Sequence, residues 1–590
     1  MKHLETIACA ALLLAFSGCG EPRQQAATTE QAAAPTSASQ KETWWKETVV
    51  YQLYPRSFQD SNGDGVGDLR GITSRLDYLK SLGVGTIWLN PIYASPNDDN
   101  GYDISDYRQI MPEFGTMEDF DALLKGMHQR GLKLVMDLVV NHSSDEHEWF
   151  KQARSSRTNP YRNYYHWWPA EKGKPTPRWS FFDVNSDAWK YDSLTNSYYL
   201  HYFSRKQPDL NWENPKLRQE VYSMMRFWLD KGIDGFRLDA FQFASKDTTF
   251  PPLPAGYEKN IIKYYGHGPH LHDYLQEMNR EVLSKYNVMT VAEGAGSGPT
   301  DAMLFVDPAR KELNMAYHFE GVDLGNGPKL YQLAEFKRIY TRWDSAFAEK
   351  GWLSIFLGNH DQPRMTSKFG DDRPAFRAAS SKLLTTFIMT MRGTPYYYNG
   401  DELGMTNIRF TDINDYRDVA TRNEYQRLKN QGGDLRAFLT LAQRTARDNG
   451  RTPFQWNAAA NAGFTTGTPW LQVNPNYQQV NEAAEDKDPN SVLNYFRKAT
   501  ATRRQHKVLV YGQYQLVDEA NPHIYAYTRT QGTEKVLVAL NFSSEPRNWP
   551  MPTGMQTSGQ PWLNNYPTFT AGAGNTLALQ PWQAVVVPLQ

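Results

Sequence analysis

Apolar positions along the chain follow two rhythms. Eight short runs are apolar with little alternation: 49–54, 85–89, 132–140, 235–238, 288–292, 313–319, 353–357 and 394–398. A strand reads this way when both of its faces are buried, as in a parallel sheet. Between most of them lie stretches with apolar residues at helical spacing, such as 117–130, 217–231 and 271–286. Strands alternating with helices in this number predict an α/β fold, a closed (β/α)8 TIM barrel. In such a barrel the functional groups sit at the C-terminal ends of the strands.

One run breaks the apolar rule. Gly235-Phe236-Arg237-Leu238-Asp239 carries an arginine and stops at an aspartate. A charge inside a buried strand is costly unless it is paired. A structural ion pair would explain one such case, but polar tips recur. Asn141-His142 follows the third run, Asp239 ends the fourth, Glu293 follows the fifth and His360-Asp361 the seventh. A barrel would bring these acids and histidines to one rim.

The gap between the third and fourth runs is too long for one helix and rich in aromatic and turn residues. It predicts a small inserted domain, 143–211, over the barrel mouth. The barrel itself is expected to occupy 44–511. Beyond it, short runs at 524–528, 536–542 and 584–587 predict a C-terminal antiparallel β-sandwich, 512–590.

Composition changes the picture at three points. A net charge of -1 over 590 residues, with no basic run, argues against nucleic acid as a partner. The 17 Trp and 34 Tyr exceed what Phe contributes and suit a pocket that stacks rings on a polyhydroxylated ligand. At the N-terminus, Lys2 and His3 precede an apolar run too short to span a bilayer, ending at Ser17-Gly18-Cys19. This resembles a lipoprotein signal, 1–18, with Cys19 as the lipid-carrying residue and 19–43 as a tether. It implies a lipid-anchored enzyme of a bacterial cell envelope. Cys9 would leave with the signal, so no internal disulfide is expected.

Four stretches together resemble glycoside hydrolase family thirteen, the α-amylase family: Asp137-Leu138-Val139-Val140-Asn141-His142, Gly235 to Asp239, Val291-Ala292-Glu293, and Gly358-Asn359-His360-Asp361. Gln207-Pro208-Asp209-Leu210-Asn211-Trp212 is similar to a further motif of its oligo-1,6-glucosidase and α-glucosidase branch. The resemblance implies that Asp239 is the nucleophile, Glu293 the general acid and base, and Asp361 the transition-state stabiliser. It also implies sugar contacts at His142, Arg237 and His360, and a pocket end formed by Asp99, Tyr102 and Arg451, with Phe203 as a wall. Gly294, after the acid, and Gly358 depart from the family's usual residues and are expected to change the pocket's shape.

Between Asp60 and Asp68 the oxygen-bearing residues fall at alternate positions, as in a hard-cation loop. The resemblance implies a structural Ca2+ held by Asp60, Asn62, Asp64, Asp68 and the Val66 carbonyl. The competing reading is a glycine-rich turn closed by Asx hydrogen bonds. The expected activity is that of a retaining, exo-acting α-glucosidase on short oligosaccharides. Ala240, after the nucleophile, resembles the residue that accompanies α-1,4 preference in this branch. Transglucosidases and sucrose isomerases on the same fold are the alternatives, and a non-catalytic relative is a third. The typical arginine-rich loop of the isomerases is replaced here by Val322-Asp323-Leu324-Gly325, and Gln362 follows Asp361 where they carry Asn.

Overall fold

The computed structural model describes residues 44–590, apart from 295, 328, 570, 573 and 574. The leader, the tether and Cys19 lie outside the described residues. Eight parallel strands form one sheet: β1 (Val50–Leu53), β2 (Thr86–Leu89), β3 (Lys133–Val139), β4 (Gly235–Asp239), β5 (Met289–Ala292), β6 (Met315–Ala316), β7 (Ser354–Ile355) and β8 (Thr394–Tyr398). Their order is β6-β5-β4-β3-β2-β1-β8-β7. A parallel bridge from Ala316 to Leu353 joins the two edges, so the sheet closes into the expected barrel.

Local chemistry sets the elements around β3 and β4. Helix α1 (Met117–Gln129) starts at a capping box in which Thr116 and Asp119 exchange side-chain and backbone hydrogen bonds. Helix α2 (Pro215–Lys231) has Asn214 as its N-cap and Pro at its start, and it ends at Gly232 in the left-handed region. The chain then enters β4 at Gly235, where a Cβ would lie 1.9 Å from the Met289 carbonyl oxygen. Only glycine lets β4 and β5 meet there. Every residue of β4 is buried.

Several sequence expectations are trimmed. The runs at 313–319 and 353–357 pair over only two residues each, Met315–Ala316 and Ser354–Ile355. Beyond the first ladder, the Tyr317 hydroxyl accepts from Arg237 and Phe319 lines a cavity with Glu293 and Asp361. The helix expected at 271–286 is α-helical only over Leu271–Glu281 and tightens to a 3-10 turn at Leu283–Lys285. Val282, β-branched and at φ -131, sits at that break.

The segment between β3 and β4 carries a three-stranded antiparallel sheet, Trp167–Pro169, Ser197–Leu200 and Trp189–Asp192, with Ser197–Leu200 in the middle. Bridges His142 to Asp209 and Tyr165 to Leu210 return it to the rim of the barrel. Its Trp189, Leu200 and Tyr202 share a buried cluster with Ala240 and Phe243, directly after β4. The insert is thereby packed against the residues that follow Asp239.

After the barrel, a five-stranded antiparallel sheet begins at Gln513–Val517, and a three-stranded one includes Arg547–Pro550 and Thr576–Leu579. Ile524, Leu537 and Val585 of the first sheet share one core with Trp549 and Leu577 of the second. The two sheets form the sandwich. Buried Arg529 ties it to the barrel's last helices by donating to the carbonyls of Leu509, at 2.9 Å, and Gly512, at 2.7 Å.

Candidate active site

The site is built on one guanidinium. In the sheet Asp137 of β3 lies opposite Arg237 of β4, and the Glu293 amide continues the β4–β5 pairing by donating to the Leu238 carbonyl at 3.2 Å. Arg237, without exposed surface, donates to Asp137 Oδ1 at 2.7 Å, to Asp239 Oδ1 at 2.6 Å and to Glu293 Oε1. Its remaining reach goes to the Tyr317 hydroxyl at 2.9–3.0 Å. Three acids therefore surround one buried cation. The other Glu293 oxygen accepts the Ala240 amide at 2.8 Å, and Ala240 adopts the left-handed region, φ 47, at that bend.

A second charged cluster lies at Asp361. Its Oδ1 accepts from Arg447 and Arg451, each at 2.9 Å. Arg447 also donates to Asp99 Oδ1 at 3.2 Å, while Gln207 reaches Asp99 Oδ2 at 3.2 Å. The expected pairing of Asp99 with Arg451 is thus corrected. Arg451 is spent on Asp361 and the His360 carbonyl, and Arg447, one helical turn earlier on Asp448–Arg451 and its N-cap, meets Asp99. Sequence could have offered Arg447 through its i, i+4 spacing from Arg451, but nothing in the order of residues chose between the two.

The neutral groups are equally placed. Gln52 donates to His360 Nδ1 at 2.8 Å, which leaves the proton on Nε2; that nitrogen makes no hydrogen bond and points beside Asp361, 3.2 Å from Oδ2. Tyr102 stacks on the His360 ring, with centroids 5.1 Å apart, and its hydroxyl meets Asn90 and Asp137. His142 is less free than expected. Its Nε2 lies 3.1 Å from the Tyr102 carbonyl, and Asn141 donates to Nδ1 at 3.2 Å. Phe203 packs on the His142 ring and lines a cavity of about 700 Å3 with Ala240, Glu293, Phe319, Asp361 and Arg447. Gly294 sits at φ 55, and a Cβ there would meet the Phe319 ring at 2.8 Å. The small residue after the acid makes room for that aromatic wall.

The loop from Asp60 to Asp68 closes on its own amides. Asp60 accepts the amides of Asn62, Gly63 and Gly65, Asp64 accepts that of Val66, and Asp68 accepts those of Ser61 and Gly71. Among the described residues no three acidic, histidine or cysteine side chains are gathered so that they could hold a metal.

Burial sets the protonation pattern. It raises Glu293 to about 8; Arg237 opposes the rise, and the carboxylates of Asp239 and Asp361 reinforce it. Asp239 rises to about 6, with burial again outweighing Arg237, and Asp99 to about 7 against Arg447 and Arg451. Asp361 goes the other way. Burial pushes it up, but the His360 ring and the two guanidiniums of Arg447 and Arg451 hold it below the usual carboxylate range. Burial also lowers His360 to about 3, so near neutral pH the ring is uncharged and the arginines carry that field. The rim thus offers a carboxylate, a carboxylic acid and a strongly anionic third acid.

Acids held in opposed protonation states on the rim of a parallel barrel define a glycosidase. Comparison with known proteins agrees. Residues 52–512 match the family described as alpha amylase, catalytic domain, and 524–586 match the alpha-amylase SusG C-terminal domain. An oligo-1,6-glucosidase of Parageobacillus thermoglucosidasius is 52% identical over 93% of this chain and 99% of its own length. An alpha-glucosidase of Pediococcus pentosaceus is 47% identical over 85% of this chain and 92% of its own. The solved trehalulose synthase of Pseudomonas mesoacidophila MX-45 superposes with a TM-score of 0.90 at 47% identity, over 93% of this chain and 99% of its own. The chain belongs to the α-amylase family and is a glycoside hydrolase.

The expected envelope localisation is corrected. The anchored enzyme finds no counterpart in the oligo-1,6-glucosidase relative, 99% of whose length is matched by 93% of this chain. Among the described residues no helix is long and apolar enough to cross a membrane.

The two raised acids predict a pH profile. A reaction that needs Asp239 ionised gains rate as pH rises through about 6, and one that needs Glu293 protonated loses rate as pH rises through about 8. A bell-shaped kcat/KM between these limits is expected, and Glu293→Gln should remove the alkaline limb when an activated aryl glucoside is the substrate. An alkaline limb that persists in that variant would show that another group titrates there.

Proposed function

We propose that this enzyme is a retaining, exo-acting α-glucosidase that removes single terminal glucose units from short oligosaccharides. The observation that carries it is the pair of clusters described above. Arg237 bridges Asp239 and Glu293 through adjacent nitrogens, a short span of the retaining kind. Arg447 lines the same cavity and is bridged to Asp99, and a wall closed by such a pair suits a chain end rather than the middle of a polymer.

In the first step an Asp239 oxygen attacks the anomeric carbon while Glu293 gives its proton to the departing glycosidic oxygen. The bond to the leaving sugar breaks and a glucosyl ester forms on Asp239. In the second step Glu293, now a carboxylate, takes a proton from water as its oxygen attacks the same carbon and releases Asp239. Asp361, held anionic by Arg447 and Arg451, and the free His360 Nε2–H supply contacts to the ring that strengthen as charge develops. Another sugar hydroxyl in place of water gives transglucosylation at high substrate.

The linkage is the finer part of the reading. Its relatives are named for α-1,6 activity and for α-glucosidase activity. Ala240, small and lining the cavity beside Glu293, favours α-1,4. One or two methyl groups in a pocket shift selectivity by about 1–3 kcal/mol, a bias rather than a switch. The expected result is a higher kcat/KM on maltose than on isomaltose, with sucrose split to glucose and fructose. Isomaltose cleaved much faster, or sucrose turned mainly into isomaltulose or trehalulose, would overturn it.

Calcium on the loop from Asp60 to Asp68 is a separate proposal, supported by the alternation of its donors. The competing account is that its own amides close the loop. No step of the reaction uses the ion. Calcium added to chelator-treated enzyme should raise the thermal midpoint, whereas an unchanged midpoint would leave the loop to its Asx hydrogen bonds.

A further inference from the structure

Helix α3 (Val419–Asn430) separates two cavities. Its Ala420, Thr421 and Glu424 line the catalytic one. Its Arg422, Asn423, Gln426 and Lys429, on the i, i+4, i+7 face, line a second cavity of about 910 Å3. The far walls come from Asn97, Asp98 and Asn100, from Ser204 to Lys206 of the insert, and from Trp470. Asn423 pins the helix to the insert by donating to the Phe182 carbonyl at 2.7 Å.

This second cavity is basic. Arg205, Lys206, Arg417, Arg422 and Lys429 line it, against Asp98 alone among acids. Arg205 is spent on Asp183 at 2.8 Å and Lys206 on Glu146 at 2.9 Å. Asp98 accepts from the Ser204 hydroxyl at 2.6 Å. Arg417 donates to the Asn414 carbonyl at 2.8 Å; the neighbouring acids Glu424 and Asp418 pair with Arg427 and Arg447, and among the described residues Arg417, Arg422 and Lys429 make no ion pair. Three cations on one concave wall, beside an aromatic ring and side-chain amides, repel one another and gain when an anion enters. A solvated helix face would need neither the concavity nor the ring.

Asp98 lines this cavity, whereas its neighbour Asp99 pairs with Arg447, which lines the catalytic one. The two cavities share no lining residue, so the basic one is distinct from the catalytic one. We propose that the basic cavity is a second, separate site for a small anionic sugar, with the charged group on Arg417, Arg422 and Lys429 and the sugar ring against Trp470.

The test is equilibrium binding followed by calorimetry, with glucose 6-phosphate, glucuronate, glucose and inorganic phosphate as separate probes. Wild type is compared with the double variant Arg422→Ala/Lys429→Ala. Both residues lie outside the catalytic machinery, so the variant should keep its maltose activity, which reports folding. The expected result is that at least one anionic sugar binds about tenfold or more tighter than glucose, and that the variant and raised salt each weaken it about tenfold. Glucose 6-phosphate and glucuronate distinguish a phosphate from a carboxylate. Four results would overturn the proposal: no binding of either anionic sugar, equal binding of glucose, binding unchanged in the variant, or phosphate alone binding as tightly as the sugar phosphate, an adventitious ion only.

Discussion

A guanidinium without access to water governs this enzyme's architecture. An isolated charge buried as Arg237 is would be prohibitive, and it persists because Asp137, Asp239 and Glu293 surround it with hydrogen bonds. Removing one partner from such a cluster costs about 3–5 kcal/mol, so each acid is fixed by what its loss would leave uncompensated. The sheet supplies the positions. Asp137 faces Arg237 across the β3–β4 ladder, and Glu293 follows β5 as Asp239 ends β4. Closing the barrel and bringing Asp239 and Glu293 together are one structural requirement.

The same arrangement divides the labour among the acids. Burial alone would raise every carboxyl in the cavity. Glu293, near two other carboxylates, is raised most, and Arg447 and Arg451 hold Asp361 down although it shares the cavity. One arginine is shared among three acids at Arg237, while two arginines, Arg447 and Arg451, both reach Asp361 and share what remains with Asp99 and Asp418. That imbalance of counter-charge produces a proton donor and an anion within one pocket near neutral pH.

Much of this was legible in the chain. A buried parallel strand reads as an unbroken apolar run, so the polar residue at its tip stands out, and Asp239, Glu293, His360 and Asp361 were read in that way. Asp137 falls inside a motif, yet its sequence context carries no sign of its role, because a strand residue whose side chain enters the barrel looks like any buried polar group. Tyr317 was hidden for the same reason. Arg447 was missed because its partner Asp99 lies far away in sequence, and only folding decides which of two arginines a turn apart will face it. The Asx network of the loop at Asp60 and the aromatic wall that fills the space beside Gly294 also depend on neighbours distant in the chain. Residues read from one strand were visible; residues defined by two segments were not.

On the proposed mechanism, Arg237 holds Asp239 ready to form a covalent bond. A fluorinated α-glucosyl fluoride, whose second step is slowed more than its first, should accumulate the glucosyl-enzyme. Peptide mass spectrometry should then find one added fluoroglucosyl group, carried on Asp239, and none in Asp239→Asn. A label on a different residue, or steady turnover of the probe with no label at all, would contradict the account.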